Sequence, residues 1–356
     1  MMRTEFPWLD QVERRTSGFV LCPTFEAVLL DDGRLLLVPS RGEPIQVDAP
    51  WGREVHAHVI AGDARRRPLS LAGRETLADT LRALAARGIL VPATRLEAAD
   101  EPRYERQVAW FDGPELDGVH AQRRLAVSTV LVLGLDGFGV GVADLLSRSG
   151  IGTLVLADER RIEPDHLTRD HLYVRDDVGV RRAVAAARHL ELVNDHTRLV
   201  QLESPIDSAM TLARAMRRYR PDLLLVASPR RDSATLEWLD AAAFASGVPV
   251  LQGGTRARQA TIGPMLVADV TPCHACYRAA TEPAGTHAAS AASTSVAWTD
   301  AAAASLACAQ VIAQLTGAEM PSVLGRELRL DATRLEPSWI EPARLREPCR
   351  RPGCTR

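Results

Sequence analysis

From Arg103 onward, short runs of apolar, β-branched residues alternate with longer segments of helical period. The runs at 129–133, 153–157, 223–227 and 248–251 read as strands. The segments 140–149, 179–193, 207–218 and 234–246 read as helices, with apolar positions at three- and four-residue spacing. Repeated strand–helix units predict an α/β fold, a doubly wound and mostly parallel sheet covered on both faces. A last helix is expected from Asp300 to Leu315, with Asp300 as N-cap and Gly317 as stop.

Upstream, 17–92 reads as a small α+β unit after an N-terminal tail, 1–16. Phe19 to Leu30 is strand-like, Asp31-Asp32-Gly33 is a hairpin turn signal, and Arg34 to Val38 makes a second strand. A third strand is expected over 44–47. One helix is expected over 52–61. A stronger one covers 74–87, where Leu77, Leu81 and Leu84 form one stripe and Gly88 stops it. Ile89-Leu90-Val91 is a short return strand. This order predicts a winged-helix-like domain. The acidic stretch 93–102, bounded by Pro92 and Pro102, is a linker. The α/β domain then covers 103–330, and an Arg- and Pro-rich tail covers 331–356.

Composition narrows the chemistry. All 43 basic residues are Arg and none is Lys. Codon usage in a GC-rich genome accounts for this, but mechanisms that need a lysine ammonium are excluded whatever its origin. The formal net charge of -2 argues against nucleic-acid binding, which needs a basic field. No apolar run reaches the ~18–20 residues of a membrane span, and the start, Met-Met-Arg-Thr-Glu-Phe-Pro-Trp, has no signal-peptide core. A cytoplasmic location is therefore expected, where six Cys point to metal or buried thiols rather than disulfides.

The run Thr129 to Leu133 leads into Gly134-Leu135-Asp136-Gly137-Phe138-Gly139. A glycine loop that opens a helix binds phosphate through bare backbone N–H groups and the helix dipole. Asp136 stands where such a cradle wants glycine. Two like charges ~4 Å apart repel by about 4 kcal/mol at an effective dielectric of 20, so a triphosphate beside Asp136 is disfavoured. A tight strand-to-helix turn explains the glycines without any ligand.

Cys273-x-x-Cys276 and Cys349-x4-Cys354 can supply four thiolates to a tetrahedral zinc ion, with Pro272 and Pro352-Gly353 favouring the turns. The alternative is four unrelated reduced thiols. Cys308, in the Ala-rich helix, reads as core. His287 reads as a loop residue. No nucleophile or paired-carboxylate constellation stands out.

Taken in order, the glycine loop, Arg103-Tyr104-Glu105-Arg106-Gln107, Asp158, His166-Leu167-Thr168-Arg169, Val178-Gly179-Val180-Arg181-Arg182, Gly253-Gly254 and the Cys273–Cys276 pair resemble the ThiF/MoeB family, relatives of ubiquitin-activating enzymes. The resemblance covers roughly 103–354. It implies adenylation of the C-terminus of a carrier protein with ATP and magnesium, a structural zinc, and a homodimer. It also implies an ATP site of Gly134, Asp136, Gly137, Gly139, Asp158 on the ribose, and Arg106 and Arg169 on the phosphates. The family's lysine falls at Arg182, whose planar head is no substitute for an ammonium. The family's magnesium-binding aspartate falls at Pro229, with Asp232 out of register. The expectation is therefore a degenerate site that does not use ATP or magnesium, and no catalytic residue.

The small unit resembles the leader-peptide recognition element of ribosomal peptide (RiPP) biosynthesis. There, an extended leader adds a strand to a sheet edge beside a helix. By analogy the edge is the strand near Leu35 to Val38, or 44–47, and the peptide-binding residues are Leu35, Leu37, Val38, Arg74, Leu81 and Arg82. A generic oligomerisation domain is the alternative. Together the parts look like the leader-binding partner of a YcaO cyclodehydratase, the cyclodehydratase C or Ocin-ThiF-like proteins of thiazole, oxazole and thiopeptide pathways. That resemblance implies two partners, a precursor leader peptide and a separate YcaO chain.

Overall fold

The computed structural model describes residues 19–21, 25–39, 43–48, 51–56, 80–84 except 82, 89–92, 102–111, 117–227, 233–256, 258–281, 295–342, 349 and 353–355. The chain divides into two compact units, Met1–Arg123 and Arg124–Arg356.

The first unit contains β1 (Phe19–Leu21), β2 (Phe25–Leu29), β3 (Leu35–Pro39), β4 (Ile45–Val47), α1 (Trp51–Val55), β5 (Leu90–Pro92) and α2 (Glu105–Phe111). β2, β3 and β4 form an antiparallel meander, and β1 pairs with β5. The expected strand from Phe19 to Leu30 is thus two strands in two sheets. The Asp31-Asp32-Gly33 turn is present. Gly33 takes φ 91°, a left-handed conformation that favours glycine, and its N–H donates to the Leu30 carbonyl.

Leu35, Leu37, Val47, Val55, Leu81, Leu84, Ile89 and Leu90 form one core cluster. This corrects part of the peptide-site expectation. β3 is the centre of its sheet, with both edges paired, so it cannot accept an added strand. Leu35 and Leu37 point into the core because alternate residues of a half-buried strand share one face, and the helical Leu81 is buried in the same cluster. Val38 is half-buried. Arg74 and Arg82, and most of the expected helix 74–87, lie outside the described residues.

After α3 (Gly118–Val127), the second unit contains β6 (Thr129–Leu133), α4 (Gly137–Arg148), β7 (Thr153–Ala157), α5 (Arg182–Val193), β8 (Arg198–Gln201), α6 (Ala209–Tyr219), β9 (Leu223–Val226), α7 (Ser233–Ala242), β10 (Val250–Arg256), β11 (Gln259–Leu266), α8 (His274–Thr281), α9 (Ala297–Thr316), β12 (Glu327–Asp331) and β13 (Glu336–Ile340). One eight-stranded sheet runs in the order β13-β12-β11-β10-β9-β6-β7-β8. β8, β7, β6, β9 and β10 are parallel neighbours. β11, β12 and β13 extend the sheet antiparallel.

The parallel strands follow from their apolar runs, since helices cover both faces. Leu131, Val155, Leu224 and Val226 pack under Leu212, Met216 and Leu239 in one such layer. The antiparallel extension was not expected. β12 alternates polar and apolar residues and is half-buried, and β13 carries polar residues and is largely exposed, so both lack the continuous apolar signature. Pro337 sits on the outermost strand, where a missing N–H costs least. The hairpin also carries the sheet past the expected domain limit at residue 330.

The chain leaves β6 toward β7 and β8, then returns to β9 on the other side of β6. Open α/β sheets bind ligands at such a switch point, beyond the carboxyl ends of the strands. The loop 134–136 occupies that place.

Candidate functional site

Gly134 has φ 98°, which turns the chain sharply from β6 into α4. Its N–H donates to the Ala157 carbonyl at 2.9 Å. At Gly139 a Cβ would lie 2.1 Å from the Gly134 carbonyl oxygen and 2.7 Å from Ala227 Cβ. At Gly137 a Cβ would lie 2.2 Å from Asp300 Oδ2 and 2.9 Å from the Arg169 carbonyl oxygen. These glycines are therefore required by close packing, whether or not a phosphate binds.

Asp136 is the N-cap of α4, but its side chain makes no capping hydrogen bond. Its Oδ1 is inaccessible and has no partner. Burial pushes its carboxyl up from the ordinary 3.8 to about 6; Asp300 and Asp158 add to this, and Arg160 and Arg182 oppose it. Asp300 approaches from α9. That helix begins at Ala297 with Val296 as N-cap and ends at Gly317, in the left-handed region. The expected N-cap role of Asp300 is thus corrected: it lies inside the first turn, only 2% exposed, and accepts a hydrogen bond from the Thr255 hydroxyl. Burial raises its carboxyl too, with Thr255 and Ser295 opposing.

Asp170 completes the group. It is 1% exposed, and neither carboxylate oxygen has a partner. Burial raises it to about 7, Asp136 and Asp300 add, and Arg169 and Arg182 oppose. Arg169 Nε is also buried without a partner.

The expected ribose-binding acid, Asp158, ends β7 as anticipated, but its oxygens are engaged. Arg160 grips it in a fork, Nε to Oδ1 at 2.9 Å and Nη2 to Oδ2 at 2.7 Å. The Leu135 N–H donates to Oδ2 at 2.8 Å. Arg182 Nη1 lies 3.4 Å from the same oxygen. Burial acts to raise Asp158, yet these donors outweigh it and hold the carboxyl below its usual range. Arg182 is itself buried, with Nη2 2.6 Å from His166 Nε2. The His166 Nδ1 accepts from the Glu163 N–H at 2.7 Å. Both ring nitrogens thus face donors, and burial with Arg182 keeps the ring below its ordinary pKa. His166 is therefore a poor metal ligand, although Glu163 and Asp165 stand close to it.

A cavity of about 270 Å³ opens beyond β7 and β8, lined in part by Asp158, Arg181, Gln201 and Glu203. Arg106 is exposed on α2 in the first unit. Pro229, Asp232 and His287 lie outside the described residues.

The four cysteines do converge. Cys273, Cys276, Cys349 and Cys354 place their sulfurs within 4.8 Å of one another. Cys273 and Cys349 sulfurs are 4.0 Å apart, far beyond a disulfide bond of about 2.05 Å. Zinc–sulfur bonds of about 2.3 Å put the sulfurs of a tetrahedral site roughly 3.8 Å apart, so the cluster fits zinc. Asp240 on α7 clamps the first knuckle. It accepts the His274 N–H at 2.8 Å, the Ala275 N–H at 3.1 Å and His274 Nδ1 at 2.8 Å. Cys308 is buried and pushed up to about 12 by burial, which marks it as an inert core thiol.

Sequence reasoning missed Arg160, Asp170, Asp240 and Asp300 as site residues. One signal was available for Asp300. It shares a helix stripe with Ala303, Ala304 and Ala307, all buried, so its charge had to be buried with them.

The fold and the cysteine cluster define an α/β protein with a mostly parallel central sheet and four cysteines placed so that they could hold a metal ion. The ThiF family profile matches residues 104–355, and the chain belongs to the ThiF family. It is 30% identical over 258 residues to the sulfur carrier protein adenylyltransferase of Thermus thermophilus, covering 71% of this chain and 90% of that protein. It is 29% identical over 174 residues to the molybdopterin-synthase adenylyltransferase of Escherichia coli, covering 49% of this chain and 66% of the relative. Among solved structures, E. coli MccB with MccA-N7isoASN superposes with TM-score 0.72 at 18% identity, over 92% of this chain and 97% of that one. The microcin C7 biosynthetic enzyme MccB in complex with N-formylated MccA gives TM-score 0.73 at 19% identity, over 92% and 97%. PaaA gives 0.70 at 22% identity, over 90% and 99%. At these identities the structures speak for the fold alone. Among the described residues, no helix is long and apolar enough to cross a membrane.

Proposed function

We propose that this chain is a ThiF-fold scaffold subunit. It binds the leader of a ribosomally made precursor peptide through its small N-terminal unit. It presents that peptide to a separate YcaO cyclodehydratase for azoline or azole formation, and does not adenylate it. The observation that carries the non-adenylating part is the placement of Asp136, Asp170 and Asp300 around the N-terminus of α4, where the family cradles phosphate. Asp158, held by Arg160 and the Leu135 N–H, is withdrawn from ribose recognition in the same arrangement.

The peptide part rests on fold likeness. MccB has been solved with its peptide MccA, and its superposition spans more of this chain than the ThiF segment alone. The small unit offers β4 as a sheet edge among the described residues. An added strand there would bond through main chain, with specificity from side-chain pockets. In this reading zinc is structural, the protein is cytoplasmic, and dimerisation, inherited from the family, is not needed to complete an ATP site.

Titration calorimetry of the full chain with a cognate leader peptide tests the reading. Micromolar or tighter binding is expected; absence of binding refutes it. A second reading, ATP-dependent adenylation of a peptide or carrier C-terminus, is favoured by the named activities of the relatives. It requires ATP–pyrophosphate exchange with magnesium and substrate present, and a null result rejects it.

A further inference from the structure

Independently of the peptide reading, we propose that the free edge of β8 is an interface with a second copy of this chain. The two β8 strands pair antiparallel about a two-fold axis at Val200. β8 ends the eight-stranded sheet, and among the described residues no strand pairs with its outer side. The Arg198 and Leu202 N–H groups donate inward, to the Gly152 and Leu156 carbonyls, both at 2.9 Å. Alternate residues of a strand face opposite ways, so the main-chain groups of Leu199 and Gln201 are directed outward. Such an edge is a template for another chain unless it is covered or blunted.

A groove of about 450 Å³ runs beside this edge. Thr197, Leu199 and Gln201 form one wall, and Val184, Ala187 and Glu191 of α5 form the other. At the carboxyl end of β8 it continues into the cavity of about 270 Å³ at Arg181 and Glu203, the two sharing Val184 and Gln201. Val184, Ala187 and Glu191 are spaced by three and four residues and so make one stripe of α5. α5 packs on both β7 and β8. Neighbouring strands lie about 4.8 Å apart, so a second β8 would set the two α5 axes about 10 Å apart, an ordinary distance for packed helices. The groove is the space that the partner's α5 closes.

Charge identifies a second copy as the occupant. The rim carries Arg181, Arg188 and Arg198 against Glu191, Asp195 and Glu203. Asp158, at the far end, is already held by Arg160 and Arg182. The signs cancel, so a polyanion meets no attractive field. Arg188 is bound to Asp177, and Asp195 lies by His196. Arg181, Glu191, Arg198 and Glu203 are exposed and have no side-chain partner among the described residues. α5 runs antiparallel to β8, which puts Arg181 and Glu203 at one end of the groove and Glu191 and Arg198 at the other. The two-fold axis sets each end against the opposite end of the partner, so Arg181 meets the partner's Glu191 and Glu203 meets the partner's Arg198. Leu199 and the partner's Gln201 exchange both main-chain hydrogen bonds. Val200 faces its own mate at a non-hydrogen-bonded position, with Cα atoms about 4.5 Å apart.

The test is disulfide trapping of the full-length, zinc-loaded chain. Val200→Cys under mild oxidation with glutathione disulfide should give a covalent dimer on a non-reducing gel, because about 4.5 Å is within disulfide reach. Arg198→Cys should not, since it stands opposite the partner's Leu202 and its own mate lies about 13 Å away. The parent chain sets the background. In sedimentation velocity, Arg181→Glu and Glu191→Arg each disrupt two symmetric pairs and should weaken association about tenfold. The double variant restores the pairs with reversed sign and should recover association. This second measurement stands if Val200→Cys does not fold. No trapping at position 200, equal trapping at both positions, or charge reversals that leave association unchanged overturns the proposal. The leader titration reads the peptide proposal separately, so the two failures are distinguishable.

Discussion

Asp136→Asn should stabilise the protein above neutral pH and have little effect near pH 4. The folded carboxyl is pushed from 3.8 to about 6, so the folded state holds a proton that the unfolded state has lost between those values. Stability therefore falls as pH rises through that window, and the whole cost is present above it. Each tenfold change in protonation is worth about 1.4 kcal/mol, which sets an upper limit of about 3 kcal/mol. Partial solvent access screens the charge, and the helix dipole favours a carboxylate by about 0.3–1 kcal/mol. A net gain of about 1–2 kcal/mol remains. For a unit of this size that is roughly 2–8 °C in melting temperature. Calorimetric melting at about pH 8 and about pH 4 measures it, and effects common to both proteins cancel in the difference. A variant less stable than the parent at about pH 8, or an equal gap at both values, would refute an Asp136 carboxylate whose Oδ1 is inaccessible and unpartnered.

Other consequences are local. Gly139→Ala should destabilise by about 1–3 kcal/mol despite the better helix propensity of Ala, because the new methyl meets the Gly134 carbonyl at 2.1 Å; an unchanged urea midpoint would show that the turn relaxes freely. Cys276→Ser should abolish stoichiometric zinc in metal analysis, and chelation of the parent protein should expose the remaining thiols to a thiol reagent. Asp240→Ala removes three hydrogen bonds from the His274 knuckle and should cost about 2–4 kcal/mol, with faster zinc loss to a chelator as the second readout. Asp240→Asn should recover part of the loss, since its amide oxygen can still accept from a backbone N–H.

Much of this arrangement is legible in the residues themselves. The apolar runs at 129–133, 153–157 and 223–227 specify strands buried on both faces, because only such strands need no polar alternation. Glycines at 134, 137 and 139 specify a tight strand-to-helix turn. The spacing of the two Cys pairs implies a shared site, since few other roles require four thiols on turns. These features are local, and each rests on periodicity or on the conformational demands of a few neighbouring residues.

Long-range burial was decided elsewhere. Nothing in the order of residues brings Asp300 against Gly137, 163 positions away, or leaves Asp170 without a partner. Only the packing of α9 onto α4 does so. Asp158 stands where a ribose-binding acid should, yet the fold hands it to Arg160 and Arg182. Leu35 and Leu37 looked available on a strand edge, and the third strand turned that edge into a centre. The chain by itself determined the ThiF fold and the cysteine cluster. The tertiary structure decided the charge around the loop, because desolvation and pairing depend on which distant side chains share the same dry space.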